Sequence, residues 1–329
     1  MSTLVTSEPT ILNDQPVPTW FGVGGRAKRL ARVRSVEQLR ACLAIDPALR
    51  ILGDGANLLV GDAGVDELVV VLGEPGEAGE LNSWRVTDHG AHANVVVGAG
   101  ANLPKLINEM VRQGLSGLEV LGGIPASVGG AVMMNAGGAF GEIGSVVASV
   151  TTLSRPSAQE PEVREVVFAR RQITFGYRST LLGTDGPRGP AGAVRDAIIT
   201  SVELRLKKGT PEALRAKLKE VMEYKKKTQP LAERSAGCTF KNPVLSADLP
   251  GIAVAGTKVS AGLLIDRAGC KGLRVGGAEV SSTHANFFAC HPGATAGDVL
   301  GLMRLVRQRV RESFGVELQP EVAIWGERL

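Results

Sequence analysis

Three Gly-Gly pairs crowd the stretch Leu121–Phe140, LGGIPASVGGAVMMNAGGAF: Gly122-Gly123, Gly129-Gly130 and Gly137-Gly138. Between them lie Pro125, the small residues Ala126 and Ser127, and the apolar run Ala131–Met134. Glycine has no Cβ and adopts positive φ freely, so such a backbone turns tightly and its N–H groups can come close to a bulky ligand. Successive amides in turns of this kind form concavities for anions. Two readings fit the stretch by itself: a cradle for a phosphate-bearing cofactor, or a structural loop between closely packed strands. The other strings of the chain decide between them.

A chain of 329 residues has room for two or three domains at roughly 100–200 residues each. Its 21% charged residues carry a net charge of only +4, too small and too dispersed to imply nucleic-acid binding. Lys225–Lys227 is the one basic cluster, and by itself it reads as the solvated end of a helix. Cys42, Cys238, Cys270 and Cys290 form no C-x-x-C pair, which points to reduced thiols in a cytoplasmic protein. The first eighteen residues lack a basic and an apolar region, so they do not read as a signal peptide. No stretch approaches 18 uninterrupted apolar residues, and no membrane span is expected.

Residues 1–18 are polar and Pro-bearing and read as a flexible arm. A second glycine knot, Thr19–Ala27, leads into a strand at Lys28–Val33. Ser35 then caps a helix running to Ile45. Arg50–Leu52 is a short strand that breaks into Gly53-Asp54-Gly55-Ala56-Asn57, and Leu58–Val60 resumes it. Loops after strands in this position are where open α/β sheets bind ligands. The string Gly98-Ala99-Gly100-Ala101-Asn102-Leu103 repeats the pattern G-x-G-A-N-L of Gly53–Leu58. Leu103–Gln113 is helical, with Leu103, Leu106, Ile107 and Met110 on one face. Strands are expected at Val146–Leu153, Glu162–Val167, Ala197–Arg205, His284–Ala289 and Val316–Leu318, and helices at Glu212–Lys226, Ala261–Ala268 and Asp298–Phe314. Lys207–Pro211 reads as a domain linker.

Several familiar sites are absent. There is no P-loop, and neither G-x-G string continues into the Rossmann fingerprint. The histidines His89, His92, His284 and His291 have no metal-site spacing, and no metal is expected. No G-x-S-x-G elbow occurs. Several small-residue loops after separate strands suit a long two-ended ligand such as a dinucleotide.

Thr19–Ala27, Gly53–Val60 and Gly123–Ala136 resemble the FAD-binding half of the UDP-N-acetylenolpyruvoylglucosamine reductase family. The resemblance continues through Phe175–Arg178, Ser235–Pro243, Ala285–Phe287 and Pro320–Val322. It implies an α+β chain with a PCMH-type (vanillyl-alcohol-oxidase-like), two-part FAD-binding domain over residues 19–206, with subdomains at about 19–82 and 83–206. A substrate-binding α+β domain would follow at 207–329. The uninterrupted run Leu264–Phe288 is similar to the shorter, type II branch.

The implied activity is the NADPH-dependent reduction of UDP-N-acetylglucosamine enolpyruvate to UDP-N-acetylmuramate, for peptidoglycan. FAD would be held non-covalently, with hydride leaving flavin N5 and a side-chain acid giving the proton. The resemblance carries FAD contacts onto Gly53, Asp54, Gly55, Ala56, Asn57 and Leu58. It carries them also onto Gly122, Gly123, Ile124, Pro125, Ser127, Val128, Gly129, Gly130, Ala131, Asn135, Ala136 and Gly137. Ala126 stands where the family often has glycine. Substrate contacts fall on Tyr177, Lys227 and Asn242, and the protein is expected to act as a monomer on a small molecule.

Arg178 and Glu321 match the pair that stabilises the intermediate at the substrate carboxylate. Alone, one reads as a strand-end ion pair and the other as a surface carboxylate after Pro320; the strings around them reverse that. A guanidinium fork suits a carboxylate and stays charged. To donate a hydrogen bond there, Glu321 must be protonated. The family's proton-donating serine is replaced by Cys238. A thiol has a pKa of about 8.5, so it is mostly protonated near neutral pH and is a stronger acid than a hydroxyl. A flavin oxidase on the same fold, or a non-catalytic flavin module, leaves these matches in the last third of the chain unexplained.

Overall fold

The computed structural model describes residues 8–73, 76–156, 160–183, 197–230, 233–327 and 329. The chain forms two compact units, each drawn from discontinuous segments. The first comprises residues 1–14, 28–54 and 67–224, and the second 15–27, 55–66 and 225–329. Helices are numbered α1 (Val36–Ile45), α2 (Leu103–Arg112), α3 (Val128–Met133), α4 (Pro211–Thr228), α5 (Ala261–Arg267) and α6 (Ala296–Phe314).

One four-stranded sheet runs in the order Ile11–Pro16, Arg26–Val33, Val65–Leu72, Arg50–Leu52, with the last pair parallel. Ile11–Pro16, read from sequence as part of a loose arm, is thus an edge strand. Ser35 caps α1 as expected, its hydroxyl accepting from the Gln38 N–H, and Leu39, Cys42 and Leu43 face inward. Burial pushes the Cys42 thiol up to about 11.

An antiparallel sheet follows, ordered Glu165–Ala169, Val147–Leu153, Ile198–Lys208, His92–Gly98, Trp84–Asp88; the short strand Leu115–Ser116 pairs onto the end of Ile198–Lys208. Val202, Leu204 and Leu206 alternate with Glu203, Arg205 and Lys207, so one face packs into the core and the other faces outward. The core face receives α2 through Leu103, Leu106, Ile107 and Met110. The string Lys207–Pro211 is the end of this strand running almost directly into α4, and the division between the units falls inside α4, after Tyr224.

In the second unit, α6 lays Val299, Leu302, Met303, Val306 and Val310 into a core shared with α5 and the small sheet Arg274–Val275, Ala278–Val280, Phe288–Cys290. Its N-terminus is closed by a Thr295–Asp298 capping box, and the Asp62 carboxylate accepts the Ala296 and Gly297 N–H groups at 2.9 and 2.8 Å. Leu58–Val60 pairs in parallel with Ala323–Trp325.

Three strand expectations shift. Glu162–Val167 becomes Glu165–Ala169, and of His284–Ala289 only the last two residues are strand, which runs Phe288–Cys290. Val316–Leu318 is not a strand, because its chain reaches Phe240 only through the single bridge at Pro320; the strand lies later, at Ala323–Trp325.

Candidate functional site

In the first unit three small-residue loops meet. The Leu121–Phe140 stretch is not loop throughout: Ser127 accepts from the Gly130 N–H at 3.3 Å and caps α3, which takes up most of the apolar run. The Val128 and Gly129 N–H groups donate to Ala101 and Ala99 carbonyls at 2.9 and 2.7 Å, and Leu103 N–H donates to Ala126 at 2.9 Å. A Cβ on Gly53 would stand 2.5 Å from Ser127 Oγ, and one on Gly129 2.8 Å from the Ala99 methyl. Glycine at these two positions therefore serves loop-on-loop packing. The inner amides of the stretch are used by the protein, while Gly123, Gly130 and Gly138 are exposed. A Cβ on Gly138 would meet nothing within 4 Å, and one on Gly130 only Ser127 Oγ, so an outer ledge of the loop is bare of side chains. This fits a flat, extended ligand such as FAD.

Asn102 joins the loops. Its Oδ1 caps α2 at Lys105 N–H, 3.0 Å, and its Nδ2 donates to Asp54 at 3.3 Å. Burial raises the Asp54 carboxyl above its usual range, and the Asn102 bond opposes that. Asn102 was not among the sequence-derived site residues, although the G-x-G-A-N-L echo pointed to it.

Arg178 lies in the turn of the hairpin Ile173–Gly176 / Ser179–Leu182, in the left-handed region at φ 53°. Its Nη1 donates to the Gly137 carbonyl at 3.0 Å, and its guanidinium lies 5.4 Å from the Tyr177 ring centre. Asn135, at φ 41° and 2% exposed, donates through Nδ2 to the Gly176 carbonyl at 3.1 Å and accepts the Gly144 N–H through Oδ1 at 3.1 Å. Both ends of its amide are thus bonded to backbone. Thr180 ties the hairpin to α3 through a 2.5 Å bond to the Val132 carbonyl.

In the second unit the segments carrying Cys238 and Glu321 lie side by side. Thr239 N–H donates to the Asn286 carbonyl at 2.8 Å, and Glu321 N–H donates to the Thr239 carbonyl at 2.8 Å. Cys238 bridges Phe287, and Phe240 bridges Pro320. Asn286, 1% exposed, locks the middle segment from one side: its Oδ1 accepts Phe240 N–H at 2.9 Å and its Nδ2 donates to Phe240 C=O at 2.8 Å. The hydroxyls of Ser235 and Thr239, on either side of Cys238, are buried without a hydrogen-bond partner among the described residues. Such atoms are rare and call for a polar occupant or water.

The Gly53–Leu58 string divides: Gly53 and Asp54 belong to the first unit, Gly55–Leu58 to the second. A Cβ on Gly55, at φ 63°, would strike the Pro18 carbonyl at 2.1 Å. Asn57 Nδ2 donates to the Glu321 carbonyl at 3.0 Å, so this residue, expected at the cofactor, also holds the segment of Glu321. Asn242 Oδ1 accepts the Ala261 N–H at the start of α5, at 2.9 Å. Lys227 is exposed in the last turn of α4, and Tyr177 is 39% exposed. His284 accepts the Asn286 N–H on Nδ1 at 3.2 Å, which puts the proton of its neutral ring on Nε2, and burial lowers its pKa. Among the described residues no helix is long and apolar enough to cross a membrane.

Comparison with known proteins agrees with this layout. A family model described as FAD binding domain matches residues 27–157. One described as UDP-N-acetylenolpyruvoylglucosamine reductase, C-terminal domain, matches residues 229–325. The chain is 40% identical to the UDP-N-acetylenolpyruvoylglucosamine reductase of Desulfosudis oleivorans, over 95% of its own length and 94% of the relative's. With that of Thermus thermophilus the identity is 40%, over 92% and 95%. The crystal structure of the reductase (MurB) from Thermus caldophilus is similar at a TM-score of 0.72 and 37% identity, covering 96% of this chain and 98% of that one. Fold and FAD-binding match together define an oxidoreductase of α+β, PCMH-type fold that uses FAD. The chain belongs to the UDP-N-acetylenolpyruvoylglucosamine reductase family.

Proposed function

We propose that this protein reduces the enolpyruvyl ether of UDP-N-acetylglucosamine enolpyruvate to the lactyl ether of UDP-N-acetylmuramate, with NADPH as the source of electrons, in peptidoglycan precursor synthesis. The observation that supports the reading is the main-chain bond from Glu321 N–H to Thr239 C=O, which runs the segment of Cys238 alongside that of Glu321. FAD, when bound, supplies the hydride.

The remaining steps belong to side chains. Arg178 meets the substrate carboxylate and the negative charge that grows on it as the double bond accepts hydride. Glu321, protonated, donates a hydrogen bond to the same group. Cys238 gives its thiol proton to the carbon that bears the ether oxygen, which completes the addition of one hydride and one proton across the double bond. FAD contacts fall on the bare outer ledge of Leu121–Gly138 and on Gly53 and Asp54, and Lys227 meets the diphosphate. Asn242, whose Oδ1 accepts the Ala261 N–H at the start of α5, contacts the sugar nucleotide. Residues 19–206 would hold the flavin and, through Tyr177 and Arg178, part of the substrate, and 207–329 the remaining substrate contacts.

The test is purification of the protein with its yellow, non-covalent FAD, followed by NADPH oxidation with and without the enolpyruvyl sugar nucleotide. Turnover that depends on that substrate is the expected result. Fast NADPH oxidation driven by dioxygen alone would instead mark an oxidase.

A further inference from the structure

Asn135 and Arg178 form a reciprocal clasp. Asn135 sends its side-chain amide to the backbone of the hairpin, at Gly176 C=O, two residues before Arg178. Arg178 returns its Nη1 to the backbone of the loop, at Gly137 C=O, two residues after Asn135. The same two residues, with Asp14, are the non-glycine positions of positive φ among the described residues. Left-handed backbone is uncommon for side chains larger than glycine, and where it persists the surroundings hold it in place at functional sites. The neighbours are shaped to allow the clasp: a Cβ on Gly144 would stand 2.8 Å from Asn135 Oδ1 and 2.6 Å from the Phe175 ring.

We propose that Asn135 is a positioning residue for Arg178: it fixes the turn so that the guanidinium is held, before substrate arrives, where the substrate carboxylate will lie. This deepens the functional reading above and rests on it. The two amide bonds of Asn135 go to protein backbone, one to the hairpin at Gly176 and one to Gly144, so its side chain ties the hairpin to the loop. The clasp also joins the flavin loop at Gly137 to the residue that receives the developing charge. Loss of the clasp therefore strikes the step that uses Arg178 and spares the step that does not.

The experiment compares holoenzyme variants Asn135→Gly, which keeps the left-handed backbone, and Asn135→Asp, which keeps only the acceptor for Gly144. Anaerobic stopped flow resolves flavin reduction by NADPH from flavin reoxidation by the enolpyruvyl sugar nucleotide. Fluorescence titration of the apoprotein gives FAD affinity. Misplacement by about 1 Å costs up to ~10²-fold, so reoxidation should slow by roughly 10- to 100-fold in both variants. Flavin reduction should fall far less, and FAD should still bind. Equal loss in both half-reactions, or loss of FAD binding as the main effect, overturns the positioning role in favour of a structural or cofactor contact. Reoxidation at the wild-type rate overturns it too. Arg178→Ala separates the premise: if that variant reoxidises normally, it is the role of Arg178 that fails. If Asn135→Gly does not fold, the split measured in Asn135→Asp decides.

Discussion

Asn286→Ala should destabilise the second unit well beyond an ordinary polar-to-alanine change, and the size follows from two bonds. Phe240 is fully buried, its ring edge-on to Phe288 at 5.9 Å, and Asn286 supplies the partners of both its N–H and its C=O at 2.9 and 2.8 Å. Alanine removes both partners and leaves two main-chain groups with no route to water. Each unsatisfied buried group costs about 1–3 kcal/mol, so the loss is about 2–6 kcal/mol. Asn286→Asp makes a sharper test. An ionised carboxylate still accepts from Phe240 N–H but opposes the Phe240 carbonyl oxygen, whereas a neutral carboxyl has one donor and one acceptor, as asparagine has. Protonation is favoured in the folded state, so this variant's deficit relative to wild type is largest near neutral pH and shrinks as pH falls. Urea denaturation followed by circular dichroism, repeated from neutral to acid pH, reads both effects. An alanine variant with the wild-type midpoint, or an aspartate deficit independent of pH, would refute the argument.

Three further outcomes are expected. Cys238→Ser should keep substantial activity, while Cys238→Ala should lose the ~10²–10⁴-fold of a positioned general acid; single-turnover reduction of substrate checks both. Gly53→Ala and Ser127→Ala should couple: the first places a Cβ 2.5 Å from Ser127 Oγ, the second removes that oxygen and leaves Ser127 Cβ at an ordinary 3.5 Å. Ser127→Ala alone loses the cap of α3, worth about 1 kcal/mol. The double variant should therefore be more stable than the sum of the two single losses, and an additive result counts against the clash. His284 should make stability fall on mild acidification. Burial depresses its folded-state pKa and the Lys271 charge depresses it further, so the unfolded chain binds the proton more readily. Stability then drops as pH falls below the unfolded value near 6.5 until the folded-state pKa is passed. Protonation also ends acceptance of the Asn286 N–H at Nδ1. His284→Gln should flatten the stability curve between pH 7 and 5, as denaturation midpoints will show.

What could be read from the sequence was what local rules govern. The Ser35 cap and the apolar face of α2 were legible because caps and helical periodicity act within a few residues. The strings at Gly123–Ala136, Ser235–Pro243 and Pro320–Val322 were legible because their order along the chain is specific to one family. The rest depends on partners far away in sequence. Asn286 and Phe240 are 46 residues apart, and Asn57 and Glu321 are 264 apart, and no spacing rule connects them. Asn135 and Val128–Gly129 looked like cofactor ligands because their string matched. The Asn135 amide is also bonded to Gly176 and Gly144, and the Val128 and Gly129 N–H groups to Ala101 and Ala99, a use visible only once those segments are in place. Ile11–Pro16 was missed because an edge strand needs few apolar residues; its pattern is mostly exposed.

The two groups proposed for the substrate carboxylate are anchored at different points, one at the main chain and one at the head group. Glu321 is fixed through its main chain: its N–H is bonded to Thr239 and its C=O to Asn57. Its backbone position is thus set by two other segments of the chain, whatever its carboxyl does. That suits a group proposed to act in its protonated form, because the two bonds that fix its backbone do not involve the carboxyl. Arg178 is fixed through its side chain, by Nη1 to Gly137, on a turn that Asn135 holds. A guanidinium never titrates, so anchoring one of its nitrogens costs no protonation state, while it aligns the plane of the fork. Stabilisation of developing charge depends on dipoles and charges that need not reorient during the reaction. In the proposed site the acid would be positioned through its backbone and the permanent cation through its head group, each by a bond that leaves the protonation state of that residue unchanged.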